Sequence, residues 1–118
     1  MLVEFTMIND NEEYSFKVMG KKRDNVLTFP DKMIPHTLID IIFDEDMIIV
    51  NRRGKTEMYQ EFKLNQKLKG FYKNDMGLEF DIYSDTLELS VNEHEVNILY
   101  DFYLEKDKQS RNKLLIKY

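Results

Sequence analysis

Leu87-Glu88-Leu89-Ser90-Val91-Asn92-Glu93-His94-Glu95-Val96-Asn97-Ile98-Leu99-Tyr100-Asp101-Phe102-Tyr103-Leu104 is the stretch that decides the fold. Leu87, Leu89 and Val91 alternate with Glu88, Ser90 and Asn92. Ile98, Tyr100, Phe102 and Leu104 alternate with Asn97 and Asp101. Successive side chains of an extended chain point to opposite faces, so this period of two gathers the apolar residues on one face of a strand. Asn92 to Glu95 is polar and turn-forming, which makes the stretch two strands with a turn between them. Leu99 and Tyr103 are apolar on the otherwise polar side and mark an outer apolar patch.

The same period recurs outward from this stretch. Val3, Phe5 and Met7 alternate with Glu4 and Thr6, Tyr14, Phe16 and Val18 with Ser15 and Lys17, and Leu78, Phe80 and Ile82 with Glu79 and Asp81. Further short strands read at Leu38–Ile42, Met47–Asn51, Thr56–Leu64 and Leu114–Ile116. Turns fall at Asn9-Asp10-Asn11, Asp44-Glu45-Asp46, Arg53-Gly54 and Asn74 to Gly77, and Lys106 to Asn112 reads as a polar loop. Asp31 to Pro35, with Pro30 beside it, reads as an irregular connection or a single helical turn. No long stretch carries the helical i, i+3, i+4, i+7 pattern, and the chain has no alanine, the strongest helix former.

Strands with one dry and one wet face, at hairpin spacing, cannot lie in one flat sheet without exposing an apolar face and two edges. Closing the sheet removes both problems. The expected fold is all-β, a single closed antiparallel β-barrel of about 8–10 strands. A chain of 118 residues suits one domain, 1–118.

The net charge of −5 repels phosphate backbones, so no nucleic-acid partner is expected. The two basic clusters, Lys21-Lys22-Arg23 and Arg52-Arg53, read as solvated turns. There is no cysteine, which suits a reducing compartment. The first residues have no basic n-region, and no apolar run approaches the roughly 18–20 residues that span a bilayer. A cytoplasmic protein with no membrane association is the expectation.

From Arg52 to Tyr100 the residues form a more particular pattern: Arg52-x-Gly54, Met58-x-Gln60-x-Phe62, Tyr72, Gly77-x-Glu79, and Ile98-Leu99-Tyr100-Asp101. This pattern resembles the YwiB-like family of small bacterial proteins, a domain of unknown function. The resemblance implies a calycin-like, lipocalin-like antiparallel barrel of eight to ten strands. It implies no activity.

Four residues stand out as a candidate ligand site: Arg52, Gln60, Tyr72 and Tyr100. Gln60 lies at spacing two from Met58 and Phe62, so all three share a face. If that face is the barrel interior, the amide must meet a ligand or an internal partner such as Arg52 or a tyrosine hydroxyl. Arg52, at a strand end, offers a planar fork to a carboxylate or phosphate at a barrel mouth, or pairs with Glu57 or Glu61. The tyrosines read mostly as core, with a subset around a cavity. Gly54 and Gly77 read as turn glycines with positive φ.

His36 and His94 are far apart and form no ligand spacing, so no metal is expected. No cofactor motif and no nucleophile–base pairing is present, and no catalytic residue is assigned. The leading expectation is a non-enzymatic barrel that binds a small apolar or amphipathic ligand inside. A protein-interaction or homodimer module on the outer surface ranks second, and an enzyme last.

Overall fold

The computed structural model describes all 118 residues and is built from strands alone. Eleven strands follow in chain order: β1 (Leu2–Ile8), β2 (Glu13–Met19), β3 (Lys21–Arg23), β4 (Val26–Pro30), β5 (Thr37–Asp44), β6 (Met47–Gly54), β7 (Glu57–Lys63), β8 (Lys67–Lys73), β9 (Glu79–Val91), β10 (Glu95–Leu104) and β11 (Asp107–Lys117). They form one antiparallel sheet in the order β2-β1-β11-β10-β9-β8-β7-β6-β5-β4-β3. β3 to β11 are thus an up-and-down meander. β1 then inserts between β2 and β11, pairing Phe5 with both Phe16 and Ile116.

The two ends of that order are one piece of chain, because only Gly20 separates β2 from β3. Gly20 N–H donates to the Met1 carbonyl at 2.8 Å, and the Met1 ammonium donates to the Gly20 carbonyl at 3.0 Å. A Cβ on Gly20 would lie 2.8 Å from Val3 Cγ2 and 3.0 Å from the Thr28 carbonyl, so any side chain at this corner would push its neighbours aside. The sheet curls through this corner into a barrel.

The alternating residues line the interior. Val3, Phe5, Leu27, Phe29, Ile39, Ile41, Ile48, Val50, Phe62, Val96, Ile98, Tyr100, Leu114 and Ile116 make one buried cluster. Aromatic rings carry much of the filling. Phe62 meets Tyr100 edge-on at 4.7 Å, and Phe5 stacks on Phe16 at 5.1 Å. The middle of the barrel is therefore packed with side chains.

Several sequence expectations are corrected. The runs read at Leu78–Ile82 and Leu87–Val91 belong to one strand, β9, which begins at Glu79. Its register slips where Leu99 faces Glu88 but Tyr100 faces Thr86, leaving Leu87 as the extra residue. This bulge reverses the inward phase from Ile82, Ser84 and Thr86 to Leu89. Lys106 to Asn112 is no loop: the turn is Glu105-Lys106, and β11 starts at Asp107. Lys21-Lys22-Arg23 is the short strand β3, and Arg52-Arg53 lies within β6. Of the two readings for Asp31 to Pro35 the irregular connection holds: it carries no helical turn and is held by Asp31 Oδ1 accepting from the Met33 and Ile34 N–H groups.

Gly54 and Gly77 take φ of 150° and 84°. At Gly54 a side chain would also run into the His36 carbonyl. No helix is long and apolar enough to cross a membrane.

Candidate functional site

In a meander, alternate connections share one end of the barrel. The β1–β2, β4–β5, β6–β7, β8–β9 and β10–β11 connections lie at one end, and the site is there. Inward-facing residues near this end of β1, β2, β6, β7, β10 and β11 line a pocket of about 160 Å³ that is open to solvent at the mouth. Arg52, Gln60 and Tyr100 line it, with Asn9, Tyr14 and Asn112 as further polar groups and Met7, Met58 and Phe102 as apolar walls. Three of the four residues expected from sequence therefore converge. Tyr72 does not line the pocket: it pairs with Met58 and Phe80 and stacks on Phe80 at 6.3 Å.

Arg52 reaches inward because it continues the Ile48–Val50 face of β6. Its side chain is 16% exposed, and its nearest acid is Asp31, whose Oδ2 lies 3.8 Å from Nε. That separation is too long for a hydrogen bond. The Nε is buried with no hydrogen-bond partner, and Nη1 meets only the Met58 sulfur at 3.9 Å. The guanidinium lies 5.9 Å from the Phe5 ring centre, a loose cation–π contact. The carboxylates of Glu57 and Glu61 are engaged elsewhere, near Lys73 and the Tyr59 hydroxyl.

Gln60 is buried and donates from Nε2 to Ser84 Oγ at 3.2 Å. Its amide thus finds an internal partner on β9, one the alternation pattern did not single out. Tyr100 is buried, and its hydroxyl accepts from Asn112 Nδ2 at 3.2 Å. Burial raises the Tyr100 pKa, while hydrogen bonding by Asn112 and Gln60 and the nearby Arg52 charge oppose the rise. The phenol keeps its proton, and donors aimed at its oxygen leave that proton free to donate.

Tyr14 and Asn112 were missed at the sequence level. Asn112 lay in the supposed loop, and Tyr14 reaches the pocket only because the barrel closes.

Tyr59, Tyr83 and Tyr103 lie outside the buried cluster. Tyr59 stacks on Phe71 at 5.9 Å, and Tyr83 and Tyr103 flank the Lys67 ammonium, which lies 3.6 Å from the Tyr103 ring centre. Leu99 and Tyr103 are half-buried. No three His, Cys, Asp or Glu side chains are grouped to hold a metal, and His94 Nδ1 instead lies 3.1 Å from the Tyr118 carbonyl.

The fold and pocket define a small antiparallel β-barrel with a packed middle and a polar cavity at one mouth. The chain belongs to the family described as a domain of unknown function, DUF1934, which matches residues 4–116. It is similar in fold to the ywiB protein from Bacillus subtilis, with a TM-score of 0.67 over 98% of this chain and 89% of that one, at 12% sequence identity. No curated protein matches it.

Proposed function

We propose that this barrel is a non-enzymatic, calycin-like bacterial binding module that holds a small amphipathic ligand in the pocket at the Arg52 mouth. The observation that carries the reading is convergence. Residues as distant in sequence as Met7, Arg52, Gln60 and Tyr100 wall one cavity. That cavity mixes polar handles with thioether and aromatic walls, the make-up of a ligand site. Its size sets how much of a ligand can sit inside. About 160 Å³ is the liquid share of about five waters. The packed barrel middle favours a short molecule over a long chain. A cysteine-free chain suits work in a reducing cytoplasm.

The test is a titration of the ¹⁵N-labelled protein with short amphiphiles, 1-butanol, butyrate and butylamine, read by amide chemical shifts. Saturable shifts at Met7, Tyr14, Arg52, Gln60 and Asn112 are expected, and a Met58→Phe variant that fills the cavity reduces them. Shifts at another surface, or none that saturate, overturn the reading.

A further inference from the structure

We infer that the ligand of this pocket is a small monocarboxylate whose carboxylate docks on Arg52 and whose short alkyl end lies against Met7, Met58 and Phe102. This rests on the binding reading above and names the chemical class it takes. The first ground is an unmet demand. A guanidinium has five N–H donors and no acceptor, and a buried donor without a partner is costly. Arg52 Nε is such a donor, and Nη1 has only a weak sulfur contact.

Asp31 does not meet that demand. Its Oδ1 is engaged by two backbone N–H groups, and its Oδ2 stands 3.8 Å from Nε. The two form a loose ion pair that closes no hydrogen bond.

The second ground is the polarity of the lining. Arg52 is the one charged residue among the nine that line the pocket, and no carboxylate is among them. The Tyr100 hydroxyl already accepts from Asn112, so what it offers an incoming group is its proton. Arg52 and Tyr100 both line a space with no carboxylate in its wall, an arrangement suited to an oxyanion.

The third ground separates carboxylate from phosphate. A phosphate brings acceptor oxygens on every side and needs donors all round. Here three of the nine lining residues, Met7, Met58 and Phe102, can cover an alkyl group but cannot bond an oxygen. A planar carboxylate presents its oxygens in one direction and its carbon chain in the other.

The experiment compares butyrate, 1-butanol, butylamine and inorganic phosphate on the same labelled protein, following the Arg52 Nε–H and the Asn112 and Gln60 side-chain amides. Butyrate is expected to bind at least about tenfold more tightly than butanol or butylamine, to shift the Arg52 Nε–H downfield, and to outcompete phosphate. In Arg52→Gln that preference disappears, and Arg52→Lys restores only part of it because the fork is lost. Melting curves confirm that both variants are folded, and the wild-type comparison stands without them. Equal binding of butanol and butyrate overturns the carboxylate assignment and leaves the pocket reading intact. Tighter binding of phosphate overturns the carboxylate in favour of a phosphate site. No saturable shift from any of the four overturns both.

Discussion

Thr86 is fully buried on β9, and its hydroxyl oxygen has no hydrogen-bond partner, although its backbone pairs with Asn65 and Gln66. A buried, unpaired hydroxyl is destabilising, and an apolar group of the same shape removes that cost. Thr86→Val is therefore expected to raise stability by about 1 kcal/mol, measured by urea unfolding, whereas a loss of stability would show that the hydroxyl has a partner. Asp101 is the opposite case. It is buried on the outer face of β10, bonded by Arg111 at 2.8 Å and approached by Lys108 at 3.2 Å. The bond from Arg111, ahead of opposing desolvation, holds its carboxyl below the ordinary 3.8. The folded state thus binds the proton less readily than the unfolded one. The stabilisation is present above the unfolded value near 3.8 and is lost as pH falls below it toward the folded value. Asp101→Asn should lower stability at neutral pH and flatten the acid limb of a stability–pH curve, and an unchanged acid limb would contradict this. Asp40 behaves alike: burial, the largest influence, pushes its carboxyl up, but Arg53 and Thr28 together outweigh it. At this scale, the shared face of Gln60 with Met58 and Phe62 and the apolar face of Tyr100 were legible from alternation, whereas Arg52 read only as a strand end at a barrel mouth. The Gln60–Ser84 bond was not legible, since it joins strands whose relative position no local pattern encodes.

At the scale of the element, three two-residue turns, Asp24-Asn25, Glu45-Asp46 and Glu105-Lys106, each place their first residue at positive φ, 54°, 48° and 54°. That conformation matches the twist of a hairpin but strains a side chain with a Cβ. Glu45 has an exposed side chain, and relieving its strain outweighs the extra freedom glycine has in the unfolded chain. Glu45→Gly is expected to stabilise by about 0.5–1 kcal/mol, read as a raised melting temperature, and a lowered one would refute the strain. Strand positions were largely legible, because apolar alternation and turn residues are local signals. The strand joins were not. The β9 bulge at Leu87 reverses the inward phase, so two runs in opposite phase read as two strands when one chain passes through both. Likewise Asp107 to Asn112 has no apolar alternation to show it as strand. It is strand because β10 supplies a partner for it.

At the scale of the whole molecule, closure decides both fold and site. β1 pairs Met7 with Leu114 of β11 and with Tyr14 of β2, and so joins the first residues of the chain to the last. An all-antiparallel barrel could be argued from the sequence because an open sheet of this amphipathicity has no stable arrangement. The number of strands and the identity of the corner residue could not, since the Gly20 break between β2 and β3 shows only where Val3 and Thr28 close around it. The pocket inherits this dependence. Tyr14, Arg52 and Asn112 meet only when the sheet has curled, whereas Tyr72, inward in phase, stays apart from them.

The seven methionines provide a reporter of the central claim. Met7 and Met58 line the Arg52 pocket, Met47 lines a separate, larger and mostly apolar pocket of about 340 Å³ at the opposite end, and Met1, Met19, Met33 and Met76 are exposed. The decisive measurement is a methyl spectrum of ¹³C-methionine-labelled protein titrated with butyrate. Saturable shifts at Met7 and Met58, with contacts from the ligand's terminal methyl and no change at Met47, are the predicted result. Shifts at Met47 or the exposed methionines with Met7 and Met58 unmoved would contradict a ligand site at the Arg52 mouth.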